Sequence, residues 1–385
     1  MKGNFDRGRS ALLKIRTAST QTIPPQYSYA VLRDEEYEPS VHVDAGVMKN
    51  QKRMPIDGVV YRSEWNPKRR FVLQRMFPFL KQGDSITTTD IDIGVPVYYY
   101  MRAPEYIRET LEPMLRYLGA GRWPLNYTLH DLGSHYPNAT GHDDGIAEPM
   151  PVEECGNLLI LIYMYEKATG KTDLRFTYSI LLQHYTEYLV ENDLYPSSQL
   201  STDDGAGEEA NQTSVAIKAA IALNADGVMI GQQSFSDTGK HFAQVLYDER
   251  VGVDAKKTHF MLVHNDEDSW ALQFNLYMDV PLDLRTFPMS ALRMQTDFYA
   301  TKHDEAGVAL DNRVNWSKTD WMLFAAATAM APEVENKGIR DMFIDDIHGF
   351  ITNGKNDVPF GDRYVVQVTM WWKQAPGART GQGRL

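Results

Sequence analysis

Leu158–Tyr165 (LLILIYMY) is an eight-residue apolar run that follows directly on a carboxylate-rich stretch, MPVEECGN (150–157). An amphipathic stripe would suit a surface helix, but a helix that is apolar all round is stable in water only when other elements cover every side. The next segment, DLRFTYSILLQHYTEYLVEN (173–192), carries a polar stripe and suits such a cover, and the short turn KATGKTD between them makes an antiparallel hairpin. The run therefore requires a layered helical fold with an inner and an outer helix.

Further segments of helical length follow the same logic. They are 103–119, 207–230, 237–252, 289–302, 319–332 and 336–350, separated by connections rich in Gly, Pro and Asp, with little alternation of the β type. The expected class is mainly α. Inner and outer helices alternating in hairpins describe an α/α toroid whose inner ring turns its loops toward a central depression, and a helical solenoid is the competing architecture. Residues 1–84, with prolines spread among charged stretches, read as an irregular arm or the remnant of an N-terminal domain, and 85–385 as the helical domain.

With 51 acidic against 39 basic residues the chain carries a formal charge of -12 and has no cluster of Lys and Arg interleaved with aromatics, which argues against nucleic acid and anionic membrane as partners. No stretch of 18 apolar residues is evident, so no membrane span is expected. The single cysteine, Cys155, excludes an internal disulfide and a zinc site built on cysteines. Four Asn-x-Ser/Thr acceptors, at Asn126, Asn138, Asn211 and Asn315, favour export, whereas the first 25 residues lack the apolar core of a signal peptide and leave the cytoplasm open.

Three blocks carry a resemblance. HDLGSHYPNATGHDDGIAEPMPVEECGNLLIL (130–161) resembles the signature of the fungal glutaminase A family, in which HDLG, YPNATGH and a helix start of the EECGN type recur together. LYPSSQLSTDDGAGEEANQTSVAIKA (194–219) is similar to the family's paired-Asp stretch leading into a helix, and GVALDNRVNWSKTDWMLFAAA (307–327) to its closing Asp-x-Arg and Lys-x-Asp-Trp motifs. TTDIDIGVPVYYYMRAPEYIRETLEPMLRY (88–117) looks like the entry to the same domain, so the similarity spans about 88–350 in the right order. The resemblance implies a six-hairpin toroid, preceded in full-length members by a β-sandwich, and secretion with hydrolysis of L-glutamine to L-glutamate and ammonia. This chain departs from the pattern in four ways. The β-sandwich and an export signal are not evident, Gly205 replaces an aromatic after the paired Asp, and the tail from Val365 onward does not resemble the family's last segment, so the toroid is expected to be incomplete there.

Amide hydrolysis needs a base to activate water, donors for the developing oxyanion and an acid for the departing ammonia. Glu153 and Glu154 are the first candidates; carboxylates in the first turn behind a proline are also ordinary helix-start chemistry. Asp203 and Asp204 come second, because paired acids resist ionising together and leave one able to donate. Their alternatives are to cap a helix beginning near Glu208, to form a turn, or to bind the substrate's ammonium. His130 and Asp131 would orient a water or the leaving amide, or else hydrogen-bond backbone in a long loop. His142, Asn157, Arg313, Asp320 and Trp321 are candidates for substrate binding: Asn157 shares a helix face with both glutamates, and Arg313 would clamp a carboxylate or form a structural ion pair. Trp123 and Trp321 would wall a pocket or pack in the core. Cys155 at a helix start invites a nucleophile reading, against simple packing. His135, Asp143 and Asp144 match no metal-ligand spacing, and neither metal nor cofactor is expected. A small-molecule amide is the expected partner, with the oligomeric state left open. The alternatives are a glycoside-active toroid, since paired carboxylates also cleave sugars, and a shortened accessory protein without catalysis.

Overall fold

The computed structural model describes residues 103–133, 141–201, 206–353 and 363–367, together with the backbone of two short strands at 60–62 and 70–72. The expected arm at 1–84 lies outside the described residues apart from those strands, β1 (Val60–Arg62) and β2 (Arg70–Val72), which pair antiparallel. The chain divides into two units. One holds 1–87, 133–140 and 381–385, and the other holds 88–132 and 141–380.

The second unit is helical, and its inner line is built from the most apolar segments. Pro151 opens α2 (Pro151–Thr169), which follows α1 (Glu105–Gly119), and α2 is buried at nearly every position from Pro151 to Tyr165. Proline suits this place because the first turn has no use for its missing N–H. Gly170, with φ of 72°, ends α2 in the left-handed conformation that glycine tolerates. The chain then turns back through α3 (Asp173–Thr177) and α4 (Ser179–Asn192), which buries only Leu182, Tyr185, Thr186 and Leu189 against the inner layer. The single outer helix expected at 173–192 is broken at Tyr178.

The pattern repeats along the chain. The inner α5 (Thr213–Ile230) pairs with the outer α6 (Gln233–Tyr247), and the inner 3-10 segment Phe274–Asp279 is followed by α7 (Met289–Lys302). The last pair joins α8 (Thr319–Thr328) and α9 (Lys337–Thr352). In space α2 packs on α5, α5 on the 3-10 segment, and that segment on α8, while α4, α6 and α9 cover the inner line from outside. This is the α/α toroid arrangement of inner and outer helices. A tight hairpin, β3 (His303–Asp304) with β4 (Gly307–Val308), and an antiparallel pair of strands that brackets α8 and α9, β5 (Trp316–Lys318) with β6 (Arg363–Val365), trim the last helix pair.

Two expectations shift. The chain at 207–212 is extended instead of helical, bridged to the preceding loop by Gln199 and Glu209, so α5 begins at Thr213. That helix is also long and apolar enough to cross a membrane by composition, contrary to the expectation of no such stretch. It is 89% buried, which is what a core helix of this kind requires.

Candidate active site

The inner elements start at one end, and side chains tie those starts together. Met150, the residue before α2, has no capping side chain. Gln199 supplies the cap from the opposite loop: its Oε1 accepts from Val152 N at 3.0 Å and Glu153 N at 3.3 Å. Leu200 N donates to Pro149 O at 2.8 Å, fixing this loop against the helix start. Gln212, just ahead of α5, donates through Nε2 to Gln199 O at 2.7 Å. Asn275 in the 3-10 segment donates to Ser214 in the first turn of α5 at 3.0 Å. Phe274 stacks on Trp321 of α8 with ring centroids 4.4 Å apart. Four inner starts are thereby held together by named contacts.

Glu153 and Glu154 are both fully buried here. Glu153 is held by a residue that sequence reasoning passed over: Lys218, in the second turn of α5, places Nζ 2.8 Å from Glu153 Oε1, and its side chain is 1% exposed. Gly156 makes room for it, since a Cβ there would lie 3.0 Å from Lys218 Cγ. The signal was available. Lys218 stands among Val215, Ala219, Ile221 and Ala222 in a helix with no polar face, so it had to be buried and to find an anion.

Asn157 lies one turn on from the glutamates, fully buried, and neither amide atom has a hydrogen-bond partner among the described residues. The same holds for Thr213 Oγ1, Gln273 Oε1 and Ser317 Oγ, which lie at or just before the starts of the other inner elements. Buried polar atoms are normally paired with protein or water, so this end retains hydrogen-bonding capacity for a polar guest. Unpartnered groups also occur elsewhere, as at Asp193 and His264.

The loop ahead of α2 supplies a chain of ionisable groups. His142 Nε2 lies 2.8 Å from Asp131 Oδ1, and His130 Nδ1 lies 3.1 Å from Asp131 Oδ2 and 3.4 Å from Glu148. Asp131 is thus shared between two imidazoles, an arrangement that fixes ring orientation and can pass a proton. Tyr117 anchors the loop by accepting from His142 N at 2.8 Å and donating to Asp143 at 2.7 Å. Burial, helped by that bond to Asp143, pushes the Tyr117 hydroxyl up to about 12. Hydrogen bonds from Tyr117 and Arg122 hold the Asp143 carboxyl below its usual range.

The remaining candidates fall into place one by one. Asp203 and Asp204 lie outside the described residues, directly after the 199–201 loop that caps α2; the cap proposed for them near Glu208 does not exist, since Gln212 precedes the helix. Arg313 takes Asp311 with two nitrogens, at 3.2 and 2.7 Å, and Glu209 at 3.2 Å, the contacts of a structural ion pair. Asp320 accepts from Trp321 N at 3.0 Å and lies 3.8 Å from Lys318, whose Nζ sits 4.8 Å over the Trp321 ring. Trp321 and Trp123 are both buried, in keeping with core packing. Cys155 is fully buried, its Sγ accepting from Thr128 N at 3.4 Å, and burial pushes the thiol up, away from the thiolate a nucleophile needs. Among the described residues no group of three potential ligands could hold a metal. His135 lies outside them, Asp143 is taken by Tyr117 and Arg122, and Asp144 accepts from Ile146 N at 3.1 Å.

The chain is 36% identical over 297 residues to glutaminase A of Aspergillus oryzae, covering 75% of this chain and 42% of that protein. It is 27% identical over 381 residues to a probable glutaminase of Arthroderma benhamiae, covering 75% of this chain and 43% of that one. The chain therefore spans less than half the length of these relatives. Among solved structures, a glycosidase in complex with glucose superposes with a TM-score of 0.47 at 12% identity, covering 76% of this chain and 83% of that one. The model of the glutaminase A six helical-hairpin domain matches residues 69–384, including the tail that by its sequence departed from the pattern, and the chain belongs to that family.

Proposed function

We propose that this chain is an amidohydrolase of glutaminase type, which hydrolyses L-glutamine to L-glutamate and ammonia. The observation that carries the reading is the pair of sequence-adjacent, fully buried carboxyls, Glu153 and Glu154, at an inner helix start where the Asn157 amide has no hydrogen-bond partner among the described residues. The names of the two relatives support the substrate class. One carboxylate takes a proton from water as it attacks the amide carbon, and the other gives a proton to the nitrogen as the C–N bond breaks. Carboxyls withdrawn from water suit both tasks, because a low-dielectric surround strengthens their interaction with the charges that develop in the reaction. His130, Asp131 and His142 form a second ionisable group in the loop ahead of α2, with His142 as its partly exposed member, and would relay protons to and from solvent. The N–H groups of the first turn of α2 and the Asn157 amide are the candidate donors to the developing oxyanion.

Export belongs to the same proposal, and the exposed Asn126 would be a glycan acceptor. The test is ammonia release from L-glutamine, L-asparagine and a γ-glutamyl peptide by the purified chain, run beside a panel of aryl glycosides. Turnover of glutamine supports the reading. Turnover of glycosides with none of the amides would replace it with a sugar-cleaving toroid, and inertness toward all of them with an accessory protein.

A further inference from the structure

We infer that His264 is a recognition residue for a neutral amide group, the class of group that the proposed reaction hydrolyses, and that it favours the amide over the carboxylate left by hydrolysis. The inference rests on the amidohydrolase reading. Three histidines are buried among the described residues, and two of them have protein partners. His130 faces Asp131 and Glu148, and the His259 ring lies 2.9 Å from Thr258 Oγ1 and 3.0 Å from Ser269 O. His264 is 6% exposed, yet neither ring nitrogen has a hydrogen-bond partner among the described residues. Burying such a group unpaired costs free energy that an apolar side chain of similar volume would avoid. Tyr195 stands edge-to-face with the imidazole, ring centroids 5.8 Å apart, and is itself 57% exposed. A surface ring thus lies against this unsatisfied one.

The backbone ties His264 to the loops around the inner helix starts. Its N–H donates to Asn211 O at 3.0 Å and Thr213 N donates to Leu262 O at 2.9 Å, so Val263 pairs with Gln212 immediately before α5. Gln212 in turn reaches Gln199 O, and Gln199 caps the first turn of α2. Asn211 N donates to Pro196 O at 2.7 Å, which fixes the loop that carries Tyr195. Burial pushes the imidazole down to about 4, so at pH 7 the ring is neutral, with one N–H to donate and one lone pair to accept. A neutral amide can meet either nitrogen, giving its own N–H to the lone pair or taking the ring N–H with its oxygen. A carboxylate can only accept, and its charge costs more to bury beside an uncharged partner. The ring therefore distinguishes the two groups by hydrogen-bonding capacity and by charge.

The test is nuclear magnetic resonance of the wild-type chain, isotope-labelled at the histidine ring nitrogens, at pH 7 with propionamide and propionate as matched probes. The His264 signals are assigned by their absence in H264Q. Propionamide should shift them, and propionate at equal concentration should not. Signals that respond to neither probe, as those of an imidazole closed around an ordered water would, overturn the proposal, and so does an equal response to both. Turnover gives a second readout. In H264M kcat/KM for L-glutamine should fall tenfold or more while inhibition by L-glutamate is unchanged, so that selection of amide over acid collapses. H264Q, which keeps a donor and an acceptor, should recover part of the loss. A folded H264M with the wild-type kcat/KM overturns the proposal; should H264M not fold, the wild-type spectra decide. These spectra need no turnover, so a chain inert toward L-glutamine would sink the amidohydrolase reading and still report whether His264 binds an amide.

Discussion

Replacing Gly239 by alanine tests how the inner and outer helices of a hairpin are held. Gly239 lies in α6 where that helix crosses α5, and a Cβ at this position would press into the Ala220 carbonyl oxygen, 2.8 Å from Asn224 N and 3.2 Å from Leu223 Cβ. Two of these atoms are backbone, so no side-chain rotation relieves the clash and the helices must separate by on the order of 1 Å, which forfeits a quarter to a half of each affected contact. Overpacking of this kind costs about 1–3 kcal/mol, and backbone contact places it near the upper figure. Alanine in a helix interior returns about 1 kcal/mol over glycine. The expected net loss is about 2 kcal/mol, or about 4–8 °C in Tm at roughly 2–4 °C per kcal/mol. Gly338→Ala in α9 is the control: its nearest neighbour would be Asn336 Oδ1 at 3.5 Å, an ordinary contact, so it should be neutral or mildly stabilising. Thermal unfolding followed by circular dichroism reads both. Because Ala220 lies two residues beyond Lys218, displacement of α5 should also lower turnover. A Gly239→Ala chain melting at or above the wild-type temperature would refute the close-approach argument.

Other expectations can be checked on the same preparations. Cys155→Ser should keep most of the activity and lose only about 1–2 kcal/mol of stability, since the thiol is a packed side chain with one weak hydrogen bond; abolished turnover with an intact fold would make Cys155 the nucleophile instead. Asp226 is raised to about 6 by burial, partly opposed by its hydrogen bond from Thr186. A folded-state value above the unfolded one, about 3.9, means that its contribution is complete below pH 4 and is lost as pH rises through 6. Asp226→Asn should therefore gain stability relative to wild type between pH 4 and pH 8, by on the order of 3 kcal/mol at 1.36 kcal/mol per unit. Urea unfolding at the two pH values decides this, and a difference independent of pH would contradict it. Arg313→Gln should weaken the fold and spare KM, because the guanidinium is committed to Asp311 and Glu209; a rise in KM of tenfold or more at unchanged stability would return it to the substrate.

The layered fold was legible because α2 has no polar side and α4 has one, and that contrast survives folding. The start of α5 was not, since EEANQ has helix-forming composition; the loop contact at Gln199 and a left-handed Asn211, with φ of 55°, hold it extended instead. The outer helix before Val251 was placed four residues late, because the sharp left-handed turn at Gly231 lets α6 begin at Gln233. In the site, the glutamates and the His130, Asp131 and His142 group could be named from local sequence, as they lie within 25 residues of one another. The burial of Lys218 was readable from its apolar helix, but its partner was not, because Glu153 is 65 residues away and only the pairing of two apolar helices brings them together. The aromatic Trp321 suggested a pocket wall, but its stacking on Phe274 is a long-range contact that the sequence does not display.

The most direct test of the account is the rate of ammonia release from L-glutamine by E154Q, which changes one oxygen to nitrogen and leaves the contact between Lys218 and Glu153 in place. General acid or base catalysis contributes about 100- to 10,000-fold, so kcat should fall by at least 100-fold while Tm stays within a few degrees of wild type. A folded E154Q within tenfold of the wild-type rate would contradict the assignment of the proton steps to this helix start.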